Sequence, residues 1–398
     1  MRKLKVAKSD TFVFILYLYI FRNILNMVIP FFGYADELLA VTGIIYFLLS
    51  KHRNMFRKEN RIIIAGLLLY VLAGIFSYVF HRFQPFWSIT LPDLLLDVKF
   101  WIWFYIGYKF TNKSFDQLIS KLEPHAKLLI CILFTFSVAD AGLHIFNEMS
   151  DIKMGMRAVG LWDGPAALAS SAFTLLAIII SKKGSKWVSP YVIFALAVIT
   201  MTLRYKSLAV VAAYIVFLLY RANKLKKVKI YHIMILGILA VFIARNQLIT
   251  YFYTRDVNAR SVLWIKSFSL AFQYFPFGAG PGTFASYYSR VLYSPLYSML
   301  KIQNIYGLSR SYTAFVSDTF WPTVIGQFGV LGFVGYAMAI YWLYKRIMKY
   351  SRVEPNRFFV GMYLLVYMMI TSVAESAFLH WNAVMIAILL GMVVRDRE

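Results

Sequence analysis

Long apolar runs recur along this chain, separated by short polar or charged segments. A bilayer core of roughly 30 Å requires about 20 apolar residues per helix, and about twelve runs come near that length. They lack the two-residue alternation of barrel strands. The pattern predicts an all-α, polytopic membrane protein with about twelve transmembrane helices, at residues 11–30, 35–50, 62–80, 95–110, 126–147, 165–181, 188–203, 207–220, 230–247, 319–344, 358–373 and 377–394.

Composition and charge agree with this prediction. The chain of 398 residues is 60% hydrophobic, which excludes an ordinary soluble domain. A net charge of +24 would suggest nucleic-acid binding in a soluble protein, but here the basic clusters occupy alternate polar segments, as at 51–61, 221–229 and 345–357. This distribution follows the positive-inside rule and places both termini in the cytoplasm. We expect residues 1–398 to form a single integral membrane domain, and the first apolar run to be retained.

One polar segment, residues 248–318, is much longer than a connector requires and falls on the extracytoplasmic side. It contains the stretch NARSVLWIKSFSLAFQ, which predicts an amphipathic helix that begins after the N-cap Asn258 and ends before Pro276. The predicted apolar positions of this helix are Val262, Ile265, Leu270 and Phe272. The FGAGPG turn that follows allows close approach of a ligand or of a neighbouring helix.

Under the positive-inside rule, short extracytoplasmic segments contain few lysines and arginines, so those that remain there require an explanation. Arg260 and Trp264 are four residues apart and share a helix face, where a guanidinium could hold a phosphate while the ring packs on a sugar or a lipid. Contact with lipid headgroups is the alternative. The candidate anion-binding cations on this side include Arg157, Arg204, Lys206, Arg255, Arg260 and Arg310.

Two carboxylates lie where apolar sequence makes a charge costly. Asp318 precedes the run at 319–344, and Glu375 lies between the last two runs. Each is a candidate for catalysis or ligand contact, and for Asp318 a structural salt bridge is equally consistent. Asp93, Asp97 and Lys99 predict a polar helix entrance. No carboxylate or histidine pattern typical of a catalytic metal site occurs, and the single cysteine, Cys131, excludes a cysteine-based one. We expect neither a metal nor a cofactor.

Four stretches together resemble the O-antigen polymerases (Wzy type) and, more distantly, the O-antigen ligases. These stretches are MRAVGLWDGPAALASS at 156–171, TLRYKSLAVVAAY at 202–214, NARSVLWIKSF with PFGAGPGTF at 258–284, and SDTFWPTVIGQFGVLGFVGY at 317–336. Their order and their shared extracytoplasmic position are more specific than any one of them. The resemblance implies a GT-C-like fold.

The resemblance also implies an activity: metal-independent glycosyl transfer between undecaprenyl-diphosphate-linked repeat units on the outer face of the cytoplasmic membrane. It assigns diphosphate binding to Arg260 and to either Arg204 or Lys206. Asp318 is the first candidate for the general base and Glu375 the second. Ligases carry a histidine at the position of Asp318, which favours a polymerase. A flippase and a chain-length regulator are further expected partners. Glycan ligation and transport of an anionic or lipid-linked substrate are the alternatives.

Overall fold

The computed structural model describes residues 8–49, 58–110, 115–143, 164–221 and 258–395. Regular structure in these ranges is helical, apart from one isolated bridge between Ser309 and Tyr312. Five of the described helical segments are long and apolar enough to cross a membrane: Asp10–Val28, Pro30–Leu49, Lys58–His81, Phe115–Leu143 and Phe320–Ser351. These observations agree with the predicted all-α membrane protein.

The α-helices are α1 (Lys8–Val28), α2 (Ala35–Leu49), α3 (Arg61–His81), α4 (Trp87–Phe110), α5 (Phe115–Leu143), α6 (Pro165–Ser181), α7 (Pro190–Met201), α8 (Tyr205–Arg221), α9 (Ala259–Gln273), α10 (Tyr287–Val291), α11 (Leu296–Met299), α12 (Phe320–Met348), α13 (Pro355–Ser372) and α14 (Val384–Val394). Every predicted apolar run within the described ranges overlaps one of these helices, although the run at 377–394 overlaps α14 only from Val384 onward. The run at 230–247 lies outside the described residues.

Two helices begin well before the apolar runs that predicted them. The run at 126–147 corresponds to α5, which starts eleven residues earlier, at Phe115. Its first turns contain charged residues, but Phe115, Leu118, Ile119 and Leu122 form a buried stripe at helical spacing. Amphipathic periodicity therefore extends the helix where mean hydropathy does not. In the same way α4 begins at Trp87 rather than at residue 95.

Small residues allow the central helices to approach closely. A Cβ atom added at Gly66 of α3 would lie 2.5 Å from the Gly335 carbonyl oxygen of α12, and the reverse substitution meets Gly66 equally closely. Gly107 of α4 and Gly391 of α14 face backbone of each other's helix in the same manner. Close backbone contact increases van der Waals packing, which supports helix association in a bilayer, where hydrophobic burial contributes little.

Residues 258–316 add a small hydrophobic core of their own, which includes Leu263, Leu270, Phe284 and Tyr297. It is separate from the larger core that the long helices share. Helix α9 packs along α12, and the segment after α9 returns between α3 and α12. The part of the predicted 248–318 loop that the structure describes is therefore folded against the helical bundle.

Candidate functional site

Glu375 lies in the short connection between α13 and α14, and two cations from the start of α8 converge on it. Arg204 donates a hydrogen bond to Glu375 Oε1, and Lys206 Nζ lies 2.8 Å from the same oxygen. Lys206 also donates to the carbonyl oxygen of Ala374, at 3.1 Å. A carboxylate on one connection thus holds both cations of the RYK turn.

A second ion pair joins α9 to the residues before α12. Asn258 caps α9, since its side chain accepts a hydrogen bond from the Arg260 N–H at 3.0 Å, as the sequence predicts. The side chain of Arg260 donates to Asp318 through Nε at 2.8 Å and through a terminal nitrogen. Arg260 also lies over the ring of Phe315, 5.9 Å from its centroid. The salt bridge considered for Asp318 is present.

The two ion pairs are neighbours. The hydroxyl of Ser376 donates to the carbonyl oxygen of Ser317 at 2.9 Å, which ties the residue after Glu375 to the residue before Asp318. Lys206 and Arg260 lie within electrostatic range of each other. Five predicted site residues therefore come together at one end of the bundle: Arg204, Lys206, Arg260, Asp318 and Glu375.

Electrostatics keep Glu375 ionised. Its side chain is 20% exposed, and burial acts to raise the pKa of its carboxyl group. The positive charges of Lys206 and Arg204 act in the opposite direction and prevail, so the pKa of Glu375 is lowered from its ordinary value. His380 lies within electrostatic range of both Glu375 and Asp318. The sequence gives no sign that His380 belongs to this site, because His380 and Asp318 are far apart along the chain and no motif joins them.

A small cleft of about 10 Å³, enough for roughly one water molecule, lies beside the Glu375 ion pair, between α6, α7, α8 and α13. Arg204, Lys206 and Glu375 contribute its charged part. Its remaining lining is formed by Ala166, Ala169, Ile199, Ser207, Val210, Tyr367 and Thr371. The cleft therefore brings the ion pair next to apolar and hydroxyl side chains of four helices.

Helix α9 exposes part of its predicted apolar face. Leu270 is buried, whereas Ile265 is 60% and Phe272 75% exposed. The stripe that packs on the protein consists of smaller residues and leucines, including Ala259, Leu263 and Ser267. Hydropathy alone does not distinguish an apolar side chain facing protein from one facing lipid. An exposed apolar face is typical of an amphipathic helix at a membrane interface.

Trp264 and Arg310 were also predicted to lie at the site, and the structure gives each of them other neighbours. The Trp264 ring packs on Phe268, with centroids 6.1 Å apart. The aromatic ring under the Arg260 guanidinium is that of Phe315 instead. Arg310 is exposed and lies within electrostatic range of Tyr293. Arg157 and Arg255 fall outside the described residues, so the structure places neither.

The FGAGPG turn is buried and packs against α3 and α12. Gly280 N–H donates to the Gln327 carbonyl oxygen at 2.8 Å, and the Ser77 hydroxyl donates to the Gly278 carbonyl oxygen at 2.6 Å. Gly278 has φ +77°, and a Cβ atom there would lie 2.5 Å from the backbone nitrogen of Gly329. The glycines of this turn therefore allow close approach of neighbouring helices, which is one of the two roles that the sequence predicts for them.

The acidic residues of α4 are buried, whereas the sequence predicts that they form a polar entrance to the helix. Asp93 and Asp97 are each 1% exposed, so both lie inside the protein. Asp93 accepts hydrogen bonds from the N–H groups of Gly282, at 2.6 Å, and Tyr288, at 3.4 Å. Lys99 points to another partner and lies 2.6 Å from Asp36. Hydropathy gave no signal for this burial, because the partners come from distant parts of the chain.

Comparison of the chain with protein-family models gives no match, and comparison with curated protein sequences gives none either. Its function is therefore inferred from the geometry of these residues and from their motifs.

Proposed function

We propose that the chain is a polysaccharide repeat-unit polymerase of the cytoplasmic membrane. It transfers glycan from an undecaprenyl-diphosphate-linked donor to another lipid-linked repeat unit on the outer face, for O-antigen, capsule or exopolysaccharide synthesis. In this proposal the chain crosses the membrane twelve times in a GT-C-like arrangement, with residues 248–318 outside. The observation that carries the proposal is the convergence of three cations and two carboxylates in two neighbouring ion pairs.

The donor's chemistry matches both parts of the site. Its diphosphate is anionic, and Arg204, Lys206 and Arg260 supply three positive charges against the two negative charges of Glu375 and Asp318. Guanidinium groups make paired contacts with phosphate oxygens. The prenyl chain needs apolar surroundings, and the apolar side chains of Ala169, Ile199 and Val210 lie next to the Glu375 ion pair.

The reaction can be written with these residues alone. The acceptor hydroxyl oxygen attacks the anomeric carbon of the donor, and the bond from that carbon to the diphosphate oxygen breaks. The bonding electrons stay on the diphosphate, whose growing negative charge Arg260 and its neighbours stabilise. The hydroxyl proton passes to a carboxylate, with Asp318 the first candidate and Glu375 the second.

The ion pairs suggest how donor binding prepares this base. Asp318 is held by Arg260 in the described structure. A diphosphate that binds Arg260 competes with Asp318 for the same guanidinium. The displaced carboxylate then has an oxygen available to accept the proton of the acceptor hydroxyl.

The test uses purified protein with lipid-diphosphate repeat units, without nucleotide or added metal, and sizes the products on a gel. The wild type should yield a ladder of repeat lengths. Arg260→Ala should abolish the ladder, and Arg260→Lys should restore it only partly, since an ammonium group lacks the two-pronged contact. Lys266→Ala, on the same helix, is the matched control and should retain the ladder. An undiminished ladder from Arg260→Ala would contradict the proposal.

Transport of an anionic or lipid-linked substrate is the second candidate. The observation in its favour is the pair of acids inside the protein, Asp93 and Asp97, because carriers concentrate charged groups within the bundle. A carrier would move labelled substrate across proteoliposomes without lengthening it. A ligase would add glycan once to a different acceptor, whereas a polymerase yields the ladder.

A further inference from the structure

The carboxylate of Asp97 is buried and forms no salt bridge among the described residues. Asp93 and Asp97 are four residues apart on one face of α4. The two oxygens of Asp93 accept backbone N–H groups from Gly282 and Tyr288. Among the described residues, Oδ2 of Asp97 accepts no hydrogen bond. A carboxylate in this position requires a proton, a cation or a paired side chain.

Lys99 is the nearest candidate for pairing, but its position does not suit this role. Residues two apart on a helix do not face each other, and Lys99 acts on Asp97 only through its charge, without a salt bridge. The Lys99 ammonium lies 2.6 Å from Asp36, 3.7 Å from Glu37 and over the ring of Trp103. It is therefore committed to the acids of α2.

Two buried tyrosines from other helices interact electrostatically with Asp97. Tyr70 of α3 and Tyr336 of α12 are each 0% exposed, and their rings touch with centroids 5.3 Å apart. Both lie within electrostatic range of Asp97. The hydroxyl of Tyr70 has no hydrogen-bond partner within the described ranges. It is thus a fully buried polar atom within range of a carboxylate oxygen that also accepts no hydrogen bond.

We propose that Asp97 and Tyr70 form a Na⁺ site inside the bundle, with Tyr336 and Asp93 completing its oxygen-rich surroundings. Hard cations prefer carboxylate and neutral oxygen ligands. Oxygens that bind one cation have no need to hydrogen-bond to each other, which agrees with the unpartnered state of Asp97 Oδ2 and the Tyr70 hydroxyl. One monovalent cation carries the single positive charge that pairs with one carboxylate.

The test measures binding of ²²Na⁺ to the purified full-length chain in detergent at mildly alkaline pH, by scintillation proximity. Wild-type protein should bind about one ion per chain, displaced by unlabelled NaCl but not by choline chloride. Asp97→Asn should weaken binding by at least about tenfold, because it removes the charge that holds the ion. Tyr70→Phe removes one neutral oxygen and should weaken binding by a smaller factor.

Asp10→Asn provides the matched control, since Asp10 is a partly exposed acid that pairs with Lys121. It should bind ²²Na⁺ as the wild type does. Size-exclusion profiles verify that each variant is folded. The proposal is overturned if the wild type shows no saturable binding, if choline chloride displaces the ion equally well, or if Asp97→Asn binds with wild-type affinity. The assay needs no glycan substrate, so its result is independent of the polymerase proposal.

Discussion

Removing the charge of Glu375 should destabilise the protein by an amount that the structure bounds. At an effective dielectric constant of about 20, unit charges separated by the 2.8 Å between Lys206 Nζ and Glu375 Oε1 attract by about 6 kcal/mol. Desolvation and lost side-chain freedom offset most of this. Exposed pairs contribute about 0.2–1 kcal/mol, and breaking a buried pair costs about 3–5 kcal/mol. Because the side chains of Glu375 and Lys206 are 20% and 18% exposed, we expect Glu375→Gln to cost about 1–3 kcal/mol.

The pH dependence follows from the lowered pKa of Glu375. A carboxylate whose pKa is lower in the folded state stabilises the fold above its ordinary pKa, and this contribution is lost as the pH falls through the lowered value. The difference between wild type and Glu375→Gln should therefore be complete at pH 7. It should shrink on acidification below the ordinary value of 4.5.

The assay is thermal unfolding in detergent, followed by tryptophan fluorescence, for wild type, Glu375→Gln, Lys206→Met and the double variant. If the two side chains interact as described, the double variant should lose less stability than the sum of the single variants. Additivity within about 0.5 kcal/mol would refute the reasoning, since that is the behaviour of independent sites. A stability difference that persists unchanged at acid pH would refute the assignment to an ionised Glu375.

Two further predictions concern the turn after α9. Gly278→Ala should sharply reduce the yield of monodisperse protein in size-exclusion chromatography, because its φ of +77° and the contact with Gly329 leave no room for a Cβ atom. Asp93→Asn should lower the melting temperature, at a cost of about 1–3 kcal/mol, since it replaces the carboxylate that accepts the Gly282 N–H. A melting temperature equal to that of the wild type would show that this hydrogen bond contributes little.

Local patterns were sufficient to predict most of the long helices and the capped start of α9. Apolar runs of membrane-spanning length favour helices regardless of their partners, because the chain must satisfy its own backbone hydrogen bonds in lipid. The Asn258 cap could be predicted because the N–H group that it accepts belongs to Arg260, two residues away. It could also be predicted that Asp318 and Glu375 require partners or a function, since each carboxylate adjoins apolar runs in the sequence.

The pairing of the charges could not be predicted. Arg204 and Glu375 are 171 residues apart, and nothing in the spacing of either motif selects the other as its partner. The burial of Asp97 was hidden for the same reason, because it depends on the tertiary packing of α3 and α12 against α4. For α9, the amphipathic pattern predicted a helix but not which apolar side chains face the protein. Side chains such as Ile265 and Phe272 can pack equally well against protein or against lipid.

The charged cluster explains how three cations can be held together before any anion arrives. An unpaired guanidinium in a partly dry site would carry a desolvation cost of several kcal/mol, whereas Arg260 and Arg204 are each matched by a carboxylate. The match also restrains their side chains, which reduces the entropy lost when an anion binds. The same carboxylates must then be displaced, so an anion with one negative charge gains little by exchange. A diphosphate gains more, because it offers several oxygens and at least two negative charges to the cations at once. The electrostatics therefore favour a multiply charged ligand over the single phosphates of ordinary membrane lipids.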